Sequence, residues 1–267
     1  MTSAAPHFSP PRAPEPQTHW LLLRGLVREK RHWEGFDERM EGNFPGARVL
    51  CLDLPGVGTE HARHCPPSVP GMMEDIRRRF LPHKKDDGIP WSILGLSLGG
   101  MITLEWCHRY PKDFRGAVVV NTSAANVAPP WKRLHWRQYP RFLAIGLSRN
   151  RVKKEEHILR FTLNRADIDR KSLAKRWAGY MQDAPIAPHV LFEQVAGAIR
   201  MRAPKHLDVP TLLLASHGDR LVDPECSWQL ARRLGANLVV HRTAGHDLTL
   251  DDPNWVANQI RQWQSTI

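Results

Sequence analysis

The chain has 267 residues, of which 42% are hydrophobic, and it carries a formal net charge of +11. This length is ample for one hydrophobic core with an insertion, while no apolar run approaches the roughly 18 residues that a transmembrane helix needs. The excess of positive charge comes without a recognisable nucleic-acid-reading motif or base-stacking platform, so we expect no nucleic-acid partner.

The chain begins with a proline-rich stretch. Residues 1–18 hold five prolines and no apolar segment, so we predict a disordered tail, or one draped over the sheet edge, rather than a secretory signal. Four cysteines, Cys51, Cys65, Cys107 and Cys226, show no paired spacing. We therefore predict that they are reduced residues of a cytoplasmic protein.

Short apolar runs alternate with helical patterns along the rest of the chain. The predicted strands cover residues 20–24, 48–53, 91–96, 116–121, 210–215 and 237–241. The candidate helices include Val69–Phe80, Leu98–Tyr110, Pro224–Leu234 and Pro253–Gln264. This alternation predicts an α/β fold with a mostly parallel sheet of about six strands, covered by helices on both faces.

A glycine-walled turn joins the third predicted strand to a helix. It reads Gly95-Leu96-Ser97-Leu98-Gly99, and the small residues two before and two after the serine allow a sharp, strained backbone. Such a turn exposes the serine hydroxyl at the tip of the sheet, with a helix N-terminus behind it that favours developing negative charge. The placement between strand and helix predicts that Ser97 is a nucleophile.

A serine hydroxyl needs a base that takes its proton and an acid that orients the base. Two later strands each end in a loop that carries one of these groups. Asp219 follows the predicted strand at residues 210–215, and His246 follows the one at residues 237–241. We predict that Asp219 is the acid and His246 the base.

Four further carboxylates lie close to these two residues in sequence. Asp223 is the alternative acid, but it stands directly before a proline and has the pattern of a helix N-cap. Asp247, Asp251 and Asp252 follow the predicted base. We expect these three to cap the last helix, which begins at Pro253.

The order serine, aspartate, histidine is that of the α/β-hydrolase superfamily, which the sequence resembles from about Trp20 onward. The stretch Asp53-Leu54-Pro55-Gly56-Val57-Gly58 resembles a loop that in many members has the sequence D-x-P-G-x-G. The stretch Leu23-Arg24-Gly25-Leu26 lies where many members have His-Gly. The resemblance implies an α/β-hydrolase core. It also implies an oxyanion hole formed by the backbone N–H groups of Leu26 and Leu98.

Arg24 departs from this pattern, since many members have histidine at that position. A cation beside the oxyanion loop would lie near the substrate, so Arg24 is a candidate substrate-binding residue. Arg28 and Trp33 follow in the next stretch and are further candidates. The alternatives are that Arg28 faces water and that Trp33 packs in the core.

The stretch between the fourth and fifth predicted strands has no strand pattern and is too long for a loop. Within it, Trp136, Tyr139 and Leu143 step by three and four, which is typical of an amphipathic helix. In the superfamily that the chain resembles, an insertion at this point is a helical cap over the active site. The predicted domains are a tail at 1–18, a core at 19–123 and 208–267, and a cap at 124–207.

The predicted cap accounts for the whole charge excess of the chain. It contains 17 Lys and Arg but 6 Asp and Glu, a balance of +11 that equals that of the full sequence. One interpretation is a solvated face that keeps the protein soluble. The other is attraction of an acidic carrier protein or an anionic lipid surface, which would suit an enzyme that handles lipids.

Together these residues predict a serine hydrolase that cleaves a carboxylic ester or thioester through an acyl-enzyme intermediate. Serine at the turn argues against dehalogenases and epoxide hydrolases, which use a carboxylate nucleophile. Two alternatives stay open: another reaction of the same triad, such as acyl transfer or a lyase reaction, and a small-molecule-binding protein without catalysis. No metal and no organic cofactor is implied.

Overall fold

The structure, a computed structural model, describes residues 17–84 and 87–267. The strands are β1 His19–Leu23, β2 Val49–Cys51, β3 Trp91–Leu96, β4 Gly116–Val120, β5 Thr211–Ser216 and β6 Asn237–His241. They form one sheet in the order β2-β1-β3-β4-β5-β6, and every neighbouring pair is parallel. The predicted α/β class and six-stranded sheet are confirmed.

The register brings the carboxyl ends of the central strands side by side. Leu23 at the end of β1 lies opposite Gly95 of β3, and Leu96 at the end of β3 lies opposite Val120 of β4. Every residue of β1, β3, β4 and β5 is buried. Since ligands of open α/β sheets bind outside the carboxyl ends of the strands, this edge is where a functional site is expected.

Helices cover both faces of the sheet. They are α1 Phe36–Asn43, α2 Val69–Phe80, α3 Leu98–Arg109, α4 Pro130–Arg133, α5 Tyr139–Leu147, α6 Arg151–Thr162, α7 Arg170–Asp183, α8 Pro188–Arg200, α9 Glu225–Leu234, α10 Leu248–Asp251 and α11 Pro253–Gln264. On β1, Leu21 and Leu23 pack with α2, α3 and α9, while Trp20 and Leu22 pack with α1 and α11. Successive side chains of a strand point to opposite faces, so a buried strand is apolar throughout.

Local capping signals determine where several helices begin and end. The Ser68 side chain caps α2 by accepting a hydrogen bond from the Gly71 N–H at 3.2 Å. Asp252 caps α11 in the same way, through the Trp255 N–H at 3.0 Å. At the other end of a helix, Gly235 stops α9 with a left-handed φ of 63°, a conformation that glycine adopts without a steric penalty.

The amino-terminal boundary differs from the predicted one. Residues 1–16 of the predicted tail lie outside the described residues. Thr18, which we also assigned to the tail, is buried. Its hydroxyl donates to the Pro90 carbonyl at 2.9 Å and lies 3.1 Å from the Ser92 hydroxyl. The folded part of the chain therefore includes Thr18, because this side chain packs against the start of β3.

Helices α4 to α8 lie between β4 and β5, within residues 124–207, and this segment is called the insertion below. Its α6 and α7 pack against each other around a small apolar cluster that includes Leu159, Leu173 and Trp177. Leu250 of α10 belongs to the same cluster. The α6–α7 pair is thus joined to the core by apolar packing.

The amphipathic helix expected around Trp136 takes a different form. Trp136 lies in a short 3-10 turn, and α5 begins at Tyr139. The side chains of Trp136, Tyr139 and Leu143 are 57%, 49% and 66% exposed. An amphipathic helix usually buries its apolar stripe, but these residues present theirs to solvent. No helix among the described residues combines the length and apolar character that crossing a bilayer requires.

Candidate active site

Ser97 lies in the sharp turn between β3 and α3. Its backbone has φ 57° and ψ −114°, a conformation that is strained for a residue with a side chain. A Cβ added to Gly95 would lie 2.2 Å from the Gly99 carbonyl oxygen, and one added to Gly99 would lie 2.3 Å from the Leu23 carbonyl oxygen. Only glycine fits at these two positions, so the spacing of the motif follows from backbone contact.

Hydrogen bonds to the end of β4, to the residues just after it and to the first turn of α3 hold this strained turn in place. The Ser97 N–H donates to the Val120 carbonyl at 2.9 Å. The Ser97 carbonyl accepts from the Thr122 hydroxyl at 2.7 Å and from the Met101 N–H at 3.1 Å. The backbone of the predicted nucleophile is therefore fixed on both sides, as a preorganised site requires.

The predicted base and acid meet at the same edge of the sheet. His246 Nδ1 lies 2.7 Å from Asp219 Oδ2, and both residues are buried. The other carboxylate oxygen of Asp219 accepts the N–H groups of Leu221 at 2.8 Å and Val222 at 2.9 Å. This arrangement holds the carboxylate rigidly against the imidazole and favours the tautomer with the proton on Nδ1.

The second nitrogen of His246, Nε2, is buried and has no hydrogen-bond partner among the described residues. It makes no hydrogen bond to the Ser97 hydroxyl in this structure. Serine–histidine contacts of this kind are often long without substrate and tighten only when it binds. The nitrogen that would accept the serine proton is thus present in the site, and no other group of the described residues uses it in a hydrogen bond.

Asn121 connects the histidine loop to the sheet, and the sequence did not reveal this role. It follows β4 with a left-handed φ of 44°. Its side-chain N–H groups donate to the Ser216 hydroxyl at 3.1 Å and to the His246 carbonyl at 2.8 Å. Because the next residue, Thr122, holds the Ser97 carbonyl, two consecutive residues position both the predicted nucleophile and the predicted base.

The predicted oxyanion loop lies against the nucleophile. A Cβ on Gly25 would lie 3.1 Å from the Ser97 Cβ, so the loop approaches the serine closely. Leu98 is the first residue of α3, where backbone N–H groups lack intrahelical partners. These positions are consistent with the predicted oxyanion donors Leu26 and Leu98, whose role stays a prediction.

Arg24 is occupied by an ion pair that the sequence analysis did not foresee. Its guanidinium makes two hydrogen bonds to the Asp247 carboxylate, at 3.1 and 2.6 Å, and it stacks 4.7 Å from the centre of the Trp33 ring. Arg24, Trp33 and Asp247 are all buried, and Trp33 packs with Phe36 in the core. Arg24 and Trp33 are thus engaged with each other and with Asp247, and their role as substrate contacts stays a prediction.

The same ion pair corrects the role expected for Asp247 as a helix cap. Burial by itself would raise the pKa of Asp247, but the positive charge and hydrogen bonds of Arg24 outweigh burial and lower it. Asp251 does not cap α11 either, since it accepts N–H groups from Asn164 at 3.0 Å and Arg165 at 2.7 Å. Burial is the main cause that raises the pKa of Asp251. Of the three carboxylates, Asp252 is the one that caps α11.

Arg28 also pairs with a carboxylate, in this case one from the insertion. It makes two hydrogen bonds to Glu155 of α6, at 3.2 and 2.8 Å, and stacks on Trp177 of α7. His32 lies between these groups, and burial followed by the charges of Arg28 and Arg24 holds its pKa well below the usual value. Arg28 is therefore buried and does not face water. Its bonds to Glu155 attach the insertion to the core, and its role as a substrate contact stays a prediction.

The insertion contacts the loops that carry the predicted acid and base, and it also contacts the predicted oxyanion loop. The Thr162 carbonyl accepts the Asp247 N–H at 2.9 Å, directly after His246. Asn164 donates to the carbonyls of Gly218 at 2.9 Å and Thr243 at 2.8 Å, on the acid and histidine loops. Gln194 of α8 accepts the Val27 N–H at 2.8 Å, beside the oxyanion loop.

The Arg24–Asp247 pair leads to a stability prediction. Arg24→Ala should lower the free energy of unfolding by about 3–5 kcal/mol, because it leaves a buried carboxylate without its partner. The double variant Arg24→Met with Asp247→Leu should recover most of that loss, since it removes both charges. Urea unfolding at pH 7 measures both effects, and a double variant no more stable than Arg24→Ala would contradict this account.

A matched control is the pair of Arg165 and Asp167. It has the same two-bond geometry, at 2.7 and 2.8 Å, but is exposed. Arg165→Ala should leave the unfolding midpoint unchanged, since solvent screens exposed pairs.

The stability effect of Arg24→Ala should also depend on pH. A lowered pKa means that Asp247 contributes stability above the ordinary aspartate value of about 3.9, and that this contribution disappears as the pH falls through the folded-state value.

Comparison with known proteins identifies the family. The family model described as serine aminopeptidase, S33, matches residues 16–253. Because this match takes in most of the chain, the protein belongs to that family of α/β hydrolases. The predicted superfamily is thereby confirmed.

Individual relatives are more distant. A stretch of 121 residues is 27% identical to the poly(3-hydroxyalkanoate) depolymerase of Ectopseudomonas oleovorans, and it spans 45% of this chain but only 39% of that protein. Two solved structures, of a protein assigned as a lipase from Acinetobacter baumannii and of a bacterial membrane phospholipase A, each superpose with a TM-score of 0.73. Their identities are 22% and 20%, and the alignments cover 94% of this chain and 86% and 79% of theirs. Identities this low show a shared fold.

Proposed function

We propose that the protein is a carboxylic ester hydrolase that uses Ser97, His246 and Asp219 to form and cleave an acyl-enzyme. The observation that carries this proposal is the buried 2.7 Å contact between His246 Nδ1 and Asp219 Oδ2, at the same sheet edge as a strained Ser97. Together with the predicted oxyanion donors, these side chains are the groups that acyl transfer to water needs.

The reaction proceeds in two halves. His246 Nε2 takes the proton of the Ser97 hydroxyl as its oxygen bonds to the ester carbonyl carbon, and Asp219 stabilises the resulting imidazolium. The N–H groups of Leu26 and Leu98 hold the oxyanion. The carbon–oxygen bond to the alcohol then breaks, and the alcohol leaves with the proton from His246. Water attacks the acyl-enzyme with His246 as base, and the carboxylic acid and the free serine are released.

An ester or thioester is the proposed substrate, in preference to a peptide amino terminus. The basic charge excess of the insertion would repel the ammonium group that an aminopeptidase substrate carries. The named relatives and neighbours, a polyester depolymerase, a protein assigned as a lipase and a phospholipase A, point in the same direction. Acyl transfer and lyase reactions use the same triad, and analysis of the products distinguishes them from hydrolysis.

The insertion is proposed to cover the site and to select the acyl substrate. Its contacts with the loops that carry Asp219 and His246, and with Val27 beside the predicted oxyanion loop, support this cap role. Its positive charge favours an anionic carrier or lipid surface as the source of the acyl group. We further propose a cytoplasmic location, which the free cysteines Cys51, Cys65, Cys107 and Cys226 support.

A substrate screen tests the proposed activity. The purified protein should hydrolyse p-nitrophenyl esters of graded acyl length, and acyl thioesters of the same lengths show whether a thiol leaving group is accepted. A fluorophosphonate probe should label the protein once, and peptide mass spectrometry should locate the label on Ser97. Absence of both ester turnover and labelling would contradict the proposed function. Labelling without hydrolysis would favour acyl transfer to another acceptor.

A further inference from the structure

One surface of the insertion combines exposed apolar side chains with positive charge. It is formed by residues 130–154, called the docking segment below. This segment contains eight Lys and Arg and no Asp or Glu. Five of its large apolar side chains are about half exposed or more: Trp131 at 58%, Trp136 at 57%, Tyr139 at 49%, Leu143 at 66% and Leu147 at 75%.

The apolar groups share one side of α5. Tyr139, Leu143 and Leu147 follow one another at intervals of four residues and therefore lie along one face of the helix. A neighbouring side of α5 faces the protein, since the Phe142 ring lies 5.4 Å from the Phe161 ring of α6. No residue of α5 is buried. The outer face is thus an apolar ridge that nothing in the described chain covers.

The segment is held in position by the protein beneath it. The buried Gln138 side chain donates to the Arg220 carbonyl at 2.8 Å, and the His135 N–H donates to the Leu221 carbonyl at 2.8 Å. Arg220 and Leu221 directly follow the predicted acid Asp219. The ridge is therefore attached to a catalytic loop, and whatever binds it lies close to the site.

We infer that the docking segment binds an anionic phospholipid surface. Tryptophan and tyrosine favour the interface between lipid and water, and exposed leucines gain free energy by entering the acyl region. Lysine and arginine near the surface are attracted to an anionic membrane. The exposed Arg137, Arg149, Arg151 and Lys153 supply that charge, and no carboxylate of the segment opposes it.

A lipid surface fits these observations better than an acidic protein does. Charge pairing with an acidic protein would use the basic residues but would leave the leucines of α5 exposed to water. Large exposed apolar patches mark interaction sites, and a lipid surface would bury these leucines as well. The inference rests on the proposed function in one respect: if the protein is an ester hydrolase, its substrate would be a lipid ester of the surface that it binds. Membrane binding itself requires no chemistry at Ser97.

Vesicle sedimentation of the full chain tests the inference. The protein should bind phosphatidylcholine vesicles that contain 30% phosphatidylglycerol, an anionic lipid. It should bind pure phosphatidylcholine vesicles much more weakly. Salt should weaken binding, since the screening length falls from about 10 Å at 0.1 M to about 3 Å at 1 M. Leu147→Ser should lower the affinity about tenfold, because a leucine that enters the lipid is lost.

Two matched controls locate the binding surface. Phe192 of α8 is 71% exposed but lies outside the segment, so Phe192→Ser should leave vesicle affinity unchanged. Arg149→Glu with Arg151→Glu should abolish binding, whereas Lys171→Glu with Lys175→Glu on α7, an equal change of net charge at exposed positions, should reduce it far less. Equal losses in the segment and control variants would overturn the inference.

The outcome is separable from that of the proposed function. Turnover of a small soluble ester should be the same for Leu147→Ser and the unaltered protein. Vesicle binding without ester turnover would contradict the proposed function and leave the docking surface standing. Ester turnover with no binding to anionic vesicles would overturn the docking surface. Salt-sensitive binding to a soluble acidic acyl-carrier protein in place of vesicles would overturn it as well.

Discussion

Ser97→Ala is expected to lower kcat for ester hydrolysis on the order of 10⁶-fold, as loss of the nucleophile does in serine hydrolases of another fold. The hydroxyl is the only group that is lost, while the hydrogen bonds to the Ser97 backbone remain. Steady-state kinetics on the best ester of the screen measures the effect. Labelling by the fluorophosphonate probe should disappear in parallel.

Stability measurements on two variants separate loss of chemistry from loss of fold. Ser97→Ala keeps a Cβ at φ 57°, so its free energy of unfolding should equal that of the unaltered protein. Ser97→Gly relieves the strain of this conformation and should raise the free energy of unfolding by about 1 kcal/mol. Both variants should lack ester turnover. Undiminished labelling of Ser97→Ala would show that another residue is the nucleophile.

Asp219→Asn is expected to lower kcat by about 10⁴-fold, because an amide favours the wrong tautomer of the proposed base, His246. The amide nitrogen would stand 2.7 Å from His246 Nδ1, where a donor cannot accept its proton. The amide oxygen can still accept the N–H groups of Leu221 and Val222. The fold should therefore survive, and the loss should appear in kcat with the unfolding midpoint nearly unchanged.

Asp223→Asn is the matched control for this prediction. One oxygen of Asp223 accepts the Glu225 N–H at 2.9 Å at the start of α9. Asparagine caps helices about as well as aspartate does, so this variant should keep kcat within about twofold of the unaltered value. A large loss of kcat in Asp223→Asn together with normal turnover in Asp219→Asn would show that Asp223, and not Asp219, is the acid.

The sequence by itself determined the parts of the fold that depend on local pattern. Six apolar runs predicted six strands, and alternation with helices predicted a parallel sheet, as β1 to β6 confirm. The glycines of the turn predicted its shape, because Gly95 and Gly99 lie where a side chain would meet backbone atoms. Signals of this kind act over a few residues, so they can be read without knowing the rest of the molecule.

The sequence also placed Ser97, Asp219 and His246 at strand ends, and parallel strands bring such ends to one edge. That reasoning explains why the acid and the base were found together at 2.7 Å. It required the order of the residues along the chain and the direction of the strands. It did not require knowledge of side-chain packing.

Only the tertiary structure decided what the charged residues near the site do. Arg24 and Asp247 are 223 residues apart in the chain. The family resemblance made Arg24 a candidate substrate contact, and local pattern made Asp247 a candidate helix cap. Arg28 and Glu155 meet in the same way across 127 residues. Folding of the whole chain brings these partners together. Burial then makes each pair necessary, because an unpaired charge away from water is costly.

The exposed ridge of α5 was likewise decided by tertiary structure. Helical spacing of Trp136, Tyr139 and Leu143 indicates an apolar stripe but not the surface that the stripe faces. In the folded chain, Phe142 takes the inward position against α6, and the stripe is left outside. Periodicity along a chain specifies which side chains share a face, whereas packing against the neighbouring elements decides whether that face is covered.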